Sequence, residues 1–129
     1  MKREFTQENI TSLADNEVFV FGSNLQGLHY GGAAWVAMQF GAVLGQGVGL
    51  QGQSYAIPTM FDSVEEIRPY VDEFISFARK NNQKKFLVTK IGCGIAGFQI
   101  NEIANLFVDA INVDNIVLPE EFVNIITNN

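Results

Sequence analysis

Short apolar runs alternate along the chain with segments in which apolar residues recur every three or four positions. Runs rich in β-branched and aromatic residues predict strands at residues 17–21, 54–57, 85–90 and 115–118. The first run, Glu17-Val18-Phe19-Val20-Phe21, has little polar alternation, which is typical of a strand covered on both faces. The pattern therefore predicts a sheet buried between helices.

Three segments between these runs are predicted to be helical. Residues 32–40 are mostly small and apolar, and residues 101–111 repeat apolar side chains at helical spacing. A longer helix is predicted from the three- and four-residue steps between residues 64 and 78. Pro69 is expected in its first turn, after a short turn at residues 63–67 in which Ser63 and Glu66 have capping-box spacing.

The glycine-rich stretch at residues 45–52 is expected to be a loop without regular structure, because four glycines in eight residues make ordering costly. Gly47, Gly49 and Gly52 match the dinucleotide-binding fingerprint, but they precede a strand instead of joining a strand to a helix, and that interpretation is rejected. The element order predicts an α/β fold of three layers, with a mostly parallel mixed sheet and helices on both faces.

Length and charge limit the class of protein. The 129 residues, 47% of them hydrophobic, suffice for one core, so residues 1–129 are interpreted as a single domain. A net charge of −6 without a basic cluster argues against nucleic-acid polymers as partners. One cysteine and no apolar leader or membrane-length segment predict a cytoplasmic protein without a membrane partner.

Two glycine-rich loops, at residues 22–32 and 92–97, each join a predicted strand to a predicted helix. Ligands of open α/β sheets lie beyond the carboxyl ends of the strands, and loop amides there can bind phosphate without a lysine. The alternative to a phosphate-binding role is that these glycines only form tight turns. The second loop also matches the dinucleotide fingerprint, with Glu120 as a ribose-binding acid, but too little chain follows for a nicotinamide-binding half-domain.

The order of these motifs resembles the macro domain, the ADP-ribose-binding fold. The similarity lies in Asn9-Ile10-Thr11, in the strand that ends at Ser23-Asn24, in Tyr30-Gly31-Gly32-Ala33-Ala34 and in Ile91-Gly92-Cys93-Gly94-Ile95-Ala96-Gly97-Phe98. The Ile-Gly-Cys-Gly sequence is closest to the hydrolases that remove ADP-ribose from acidic side chains. The resemblance implies a macro-domain-like protein that binds ADP-ribose or a related nucleotide, with an ADP-ribosylated protein as a further partner.

The resemblance also implies roles for individual residues. Asn24 would contact the distal ribose, while Gly31, Gly32 and Ala33 would approach that ribose and the phosphates. Asn9 stands where the family has an adenine-binding aspartate, and its amide can donate where a carboxylate only accepts. Ser23 adjoins this group, Phe98 would flank the ribose, and the diphosphate would lie against Gly92, Cys93, Gly94, Ile95, Ala96 and Gly97.

Departures from the hydrolase pattern change the expected chemistry. Met60 and Ala96 stand where the hydrolases have a lysine and an aspartate, and neither side chain can form a Schiff base or transfer a proton. Hydrolysis of an ADP-ribosyl bond would then require water held between the loops. Binding of ADP-ribose or a related nucleotide, more than its hydrolysis, is the leading interpretation.

Two other functions stay open. One is a hydrolase that uses His29 as its base, alone or with Cys93 as nucleophile, on another nucleotide-derived substrate. The other is an interaction protein whose loops hold no nucleotide. A single histidine and a single cysteine do not make a metal site, so no metal or cofactor is expected. Trp35, Met38 and Phe40 are interpreted as core residues.

Overall fold

The computed structural model describes residues 3–29 and 31–128. Tyr30, part of the first glycine loop, lies outside them. Within these residues the strands are β1 (Glu17–Ser23), β2 (Gly49–Gln51), β3 (Ser54–Pro58), β4 (Lys85–Val88) and β5 (Ile116–Val117). The α-helices are α1 (Gly32–Ala37), α2 (Arg68–Lys80), α3 (Ile100–Asn105) and α4 (Glu120–Thr127), with 3₁₀ turns at Met38–Phe40, Val64–Glu66 and Val108–Ala110.

The strands form one sheet in the order β2-β3-β1-β4-β5. The central strand β1 runs parallel to β3, with Phe21 opposite Ala56, and parallel to β4, with Phe19 opposite Leu87. Strand β5 is parallel to β4, and β2 pairs antiparallel with β3. The predicted α/β class, with a mostly parallel mixed sheet, is confirmed.

The core has two layers because successive side chains of β1 point to opposite faces of the sheet. Val18 and Val20 belong to the larger layer, which contains buried residues of α2, α3 and α4. Phe19 and Phe21 belong to the smaller layer, which contains Ala34 and Ala37 of α1. Helices therefore cover both faces, as predicted.

The expectation that residues 45–52 lack regular structure was wrong. Their last part forms β2, which makes an edge hairpin with β3. Gly52 occupies the turn with a φ of +59°, a conformation that glycine adopts without strain. One of the glycines that argued against a strand thus supplies the turn that pairs β2 with β3.

The predicted helix over residues 101–111 is interrupted. Helix α3 ends at Asn105, and a separate 3₁₀ turn follows at Val108–Ala110. The predicted apolar residues are nevertheless buried: Ile103, Leu106, Phe107 and Ala110. The spacing of apolar residues indicates which side chains are buried. A short α-helix followed by a 3₁₀ turn can bury the same side chains as one continuous helix.

The prediction for α2 is confirmed, and α4 was not predicted. Pro69 lies in the first turn of α2, preceded by the capping box in which the Ser63 amide donates to Glu66 Oε2 at 2.9 Å. Helix α4 begins directly after Pro119 and buries Phe122 and Val123 against the larger core layer. Eight residues gave too short a pattern to distinguish a helix from a tail.

The interpretation of Trp35 as a core residue was wrong. Its side chain is 59% exposed, whereas Ala34 and Ala37 face the sheet. Small side chains let α1 approach the sheet closely, and the neighbouring position then points outward. Phe40 does pack against Phe19, with ring centroids 5.3 Å apart.

Candidate functional site

A cleft lies at the carboxyl edge of the sheet, between β1 and β4. The chain leaves β1 toward α1 on one face and leaves β4 toward α3 on the other. Adjacent strands whose connections leave toward opposite faces open a crevice, where α/β proteins bind their ligands. The cleft has a volume of about 370 Å³, and both predicted glycine loops line it.

Gly22 forms the floor of the cleft, where β1 passes close to the second loop. A Cβ atom at this position would lie 3.3 Å from the amide nitrogen of Gly92 and 3.2 Å from Oγ1 of Thr59. A larger residue would push these segments apart. The glycine therefore permits the close approach of the strand ends that carry the two loops.

Asn24 lines the cleft but uses its side chain to close the first loop. Its Oδ1 accepts from the Leu28 amide at 2.8 Å, and its Nδ2 donates to the Leu28 carbonyl at 3.2 Å. An amide group has two N–H donors and an oxygen with two lone pairs, so one donor and one acceptor remain for a ligand. Ser23 is buried, and its hydroxyl donates to the Gly47 carbonyl.

Gly31, Gly32 and Ala33 line the opposite wall of the cleft. A Cβ atom at Gly31 would lie 3.9 Å from Cδ1 of Ile95, so the two loops face each other across a short gap. Gly32 begins α1 with a φ of +61°, which disfavours a side chain there. The wall is thus mainly backbone.

The second loop contributes Gly92, Gly94, Ile95 and Ala96 to the cleft. Within the described residues, the amides of Gly94, Ile95 and Ala96 donate no hydrogen bond. Successive amides of this kind provide donors for an anion. Ile95 is 80% exposed and, with Leu28 and Met60, gives the cleft an apolar rim.

The other predicted residues of this loop do not line the cleft. Cys93 and Phe98 pack against the larger core layer, and Gly97 is exposed outside the cleft. Burial raises the pKa of the Cys93 thiol, opposed in part by Lys90. The cysteine is therefore a packing residue with little thiolate at neutral pH, an environment opposite to that of an activated nucleophile.

His29 is also outside the cleft. Its imidazole is fully buried, packs edge-on against Phe21 at a centroid distance of 5.3 Å, and has its Nε2 3.1 Å from the Gln46 carbonyl. Phe21 belongs to the smaller core layer, whereas Cys93 packs on the larger one. The structure therefore places the two members of the hypothetical catalytic pair on opposite faces of the sheet.

A second pocket, of about 330 Å³, adjoins the cleft and contains Asn9. Thr89 and Lys90 line both cavities, so they form the boundary between them. The Lys90 ammonium group pairs with Glu121 and, at 3.4 Å, with Glu8. The pairing with Glu121 is the main reason why the pKa of Lys90 is raised.

Sequence reasoning did not identify Thr59, Thr89 and Lys90 as cleft residues. Thr59 and Thr89 directly follow β3 and β4, and Thr89 Oγ1 donates to the Val20 carbonyl of β1 at 2.8 Å. The usable signal was their position after strands that run parallel to β1. Parallel strands end at one edge, so the first residues after each strand converge there.

The cleft has few groups that could transfer a proton. Its described side chains are alcohols, an amide and apolar groups, with Lys90 as the one titratable residue among them. The described part of the chain also has no group of three or more histidine, cysteine, aspartate or glutamate residues placed to hold a metal ion. Nor does any described helix have the length and apolar content that crossing a bilayer requires.

Comparisons with protein-family models, with curated proteins and with solved structures found no match. The resemblance to the macro domain therefore still depends on the motifs quoted above, and what it implies about a ligand is a proposal.

Proposed function

We propose that this protein binds ADP-ribose or a related nucleotide diphosphate in the cleft between β1 and β4. The observation that carries the proposal is the meeting of the two glycine loops across one crevice at the switch point of the sheet. Each loop contains a glycine motif on which the resemblance to the macro domain depends, and the two loops lie on facing walls of the cleft.

The diphosphate would lie against the second loop, where Gly94, Ile95 and Ala96 line the cleft and their amides have no intramolecular acceptors in the described chain. Backbone amides bind phosphate oxygens without a cationic side chain, which reconciles an anionic ligand with a net charge of −6. The distal ribose would lie near Gly31 and Asn24, whose side chain retains one donor and one acceptor.

The nucleoside end would extend past Thr89 into the second pocket, where Asn9 lies. Two adjoining cavities of about 370 and 330 Å³ suit a ligand with two bulky ends joined by a narrow link. A single sugar phosphate would fill only one of them. This geometry favours a dinucleotide-like ligand over a small phosphate ester.

Binding without hydrolysis agrees best with the side chains of the cleft. General acid and base catalysis needs a titratable group within hydrogen-bond reach of the reacting atoms. Lys90 is engaged by two carboxylates, and His29 lies outside the cleft. Met60 lines the cleft at the position that the hydrolases give to lysine, and a thioether transfers no proton.

Calorimetric titration tests the proposal, with ADP-ribose, AMP and ribose 5-phosphate as separate ligands. We expect ADP-ribose to bind most tightly because it alone spans both cavities. Gly94→Leu should stay folded, because an added Cβ atom there meets no atom within 4 Å. It should abolish binding, because Gly94 lines the cleft and the larger side chain would occupy the place proposed for the diphosphate. Val108→Leu, which enlarges an exposed residue outside the cleft, is the matched control.

Absence of heat and of a thermal shift with wild-type protein at millimolar ADP-ribose would overturn the proposal and favour an interaction protein without a nucleotide. Equal affinity for ribose 5-phosphate and ADP-ribose would contradict the two-cavity arrangement. Release of free ADP-ribose from a modified glutamate side chain would show that catalysis accompanies binding.

A further inference from the structure

Residues 45–51, which we call the buttress, pack behind the first glycine loop on the side away from the cleft. The Gly45 amide donates to the Gly27 carbonyl at 3.0 Å. A Cβ atom at Gly27 would lie 2.3 Å from the Gln46 nitrogen, and one at Gly47 would lie 2.0 Å from the Asn24 carbonyl oxygen. The two segments therefore lie backbone against backbone, at a distance that only glycine permits.

Three buried side chains donate to two successive carbonyls of the buttress. Ser23 Oγ donates to the Gly47 carbonyl, and Gln51 Nε2 donates to the Gln46 carbonyl at 2.9 Å. His29 Nε2 lies 3.1 Å from that same Gln46 oxygen and must carry a hydrogen to bond it. Ser23 and His29 flank residues 24–28, the part of the loop that the Asn24 side chain closes, so these bonds fix the chain on both sides of it.

Burial of the His29 imidazole at this position costs free energy. With the hydrogen on Nε2, Nδ1 is an acceptor, and no described residue donates to it. An apolar side chain of similar size would avoid that penalty. What the imidazole supplies is a directional bond to the buttress, three residues before the Gly32 that begins α1 and lines the cleft.

We propose that His29 is a positioning residue of the ligand cleft. It touches no ligand, and it holds the first loop against the buttress so that Asn24 and Gly31 keep the geometry that binding requires. The effect on affinity rests on the proposed function, whereas the effect on the loop does not. Gly47, part of the glycine pattern rejected as a nucleotide fingerprint, supports the proposed site because it lets the buttress approach the backbone of Asn24.

Two substitutions at one position separate positioning from general stability. In His29→Leu, Gln51 still donates to the Gln46 carbonyl, so no buried acceptor is orphaned and the unpartnered Nδ1 disappears. We expect an unchanged or higher melting temperature together with ADP-ribose affinity weakened by roughly threefold to tenfold, the effect of one hydrogen bond. His29→Gln, whose Nε2 can donate to the same oxygen, should restore most of the affinity.

Hydrogen exchange provides a readout that needs no ligand. The Gly27 amide donates to the Asn24 carbonyl at 3.0 Å, and the Leu28 amide donates to Asn24 Oδ1 at 2.8 Å. Nuclear magnetic resonance should show both amides exchanging roughly threefold to tenfold faster in His29→Leu and at the wild-type rate in His29→Gln. Amides of α2 serve as the internal control and should not change.

The outcomes are distinct. If wild-type protein binds ADP-ribose and His29→Leu binds it equally well, the positioning role is wrong while the proposed function stands. If wild-type protein does not bind ADP-ribose, the proposed function fails and the exchange rates alone decide the positioning role. Equal losses of melting temperature and affinity in both variants would make His29 an ordinary core residue and overturn the inference.

A second pair of variants tests the buttress itself. Gly47→Ala places a Cβ atom against the Asn24 carbonyl and should weaken binding by more than tenfold, because the loop that carries Asn24 must move. Gly45→Ala is the matched control in the same segment: its φ of +94° disfavours alanine, but the added atom meets nothing within 4 Å. Equal binding by these two variants would contradict the buttress.

Discussion

Gly92 and Gly94 lie two residues apart in the second loop, and we expect alanine to have opposite effects on stability at the two positions. Gly92 has a φ of +73°, and an added Cβ would lie 2.8 Å from Cδ1 of Ile103, a fully buried residue. The left-handed conformation costs an L-residue about 1–2 kcal/mol. Overpacking a filled core typically costs about 1–3 kcal/mol more. Gly92→Ala should therefore lower the free energy of unfolding by roughly 2–5 kcal/mol.

At Gly94 neither cost applies. Its φ is not in the left-handed region, and an added Cβ meets nothing within 4 Å. Alanine restricts the unfolded chain more than glycine does, which stabilises the folded state by about 0.4–1 kcal/mol when the native conformation suits it. Each variant adds one methyl group to the wild-type protein, and the two changes in the free energy of unfolding should have opposite signs.

Differential scanning calorimetry measures this separation. In a chain of 129 residues, 1 kcal/mol corresponds to roughly 4 °C in melting temperature. Gly92→Ala should melt roughly 8–20 °C below the wild type, and Gly94→Ala roughly 2–4 °C above it. Urea unfolding with an unchanged m-value would show that the difference is one of stability. If Gly94→Ala melts as low as Gly92→Ala, the conformation assigned to this loop is wrong.

Three further outcomes are expected from the charges and thiol around the site. Glu121→Gln frees the Lys90 ammonium group from one carboxylate. This change should strengthen ADP-ribose binding by about twofold to fivefold in low salt and much less in high salt. Equal gains at both ionic strengths would contradict an electrostatic cause. Because burial raises the pKa of the Cys93 thiol, iodoacetamide should modify it slowly at pH 7.5 and rapidly in urea, and Cys93→Ser should keep ADP-ribose binding intact. Burial, with Glu73 nearby, raises the pKa of Tyr55 from 10.0 to about 12. The unfolded state then loses the phenol proton first, so this contribution to stability is complete below pH 10 and is lost as the pH rises toward 12; urea midpoints of Tyr55→Phe should fall less steeply in that window than those of the wild type.

Much of the site was predictable because it depends on where strands end. A glycine loop after β1 and another after β4 must lie at one edge when the strands are parallel, and the sequence pattern indicated parallel strands through their short helical connections. Gly31, Gly32 and Gly94 were found in this way. Thr89 and Lys90 were missed because they were assigned to the strand, and β4 ends at Val88.

The direction of individual side chains was not predictable in the same way. His29 and Cys93 both lie in loops that line the cleft, yet one packs on Phe21 and the other on the opposite core layer. Neighbouring loop residues have no fixed period, so nothing local tells which of them faces the ligand and which faces the core. Trp35 shows the same limit on a helix: α1 has six residues, fewer than two turns, and is too short for periodicity to specify its buried face.

By itself the sequence determined the α/β class, the order of most elements and the two glycine loops, because these follow from hydrophobic period and from the conformations that glycine permits. Only the tertiary structure decided that residues 45–51 support the first loop and that a second pocket adjoins the cleft at Thr89 and Lys90. Both depend on segments that are distant in sequence: residues 45–51 reach the first loop through the pairing of β1, β3 and β2, and the second pocket joins residues 6–9 to Thr89, Lys90 and Pro119. Register is set by the packing of the whole sheet.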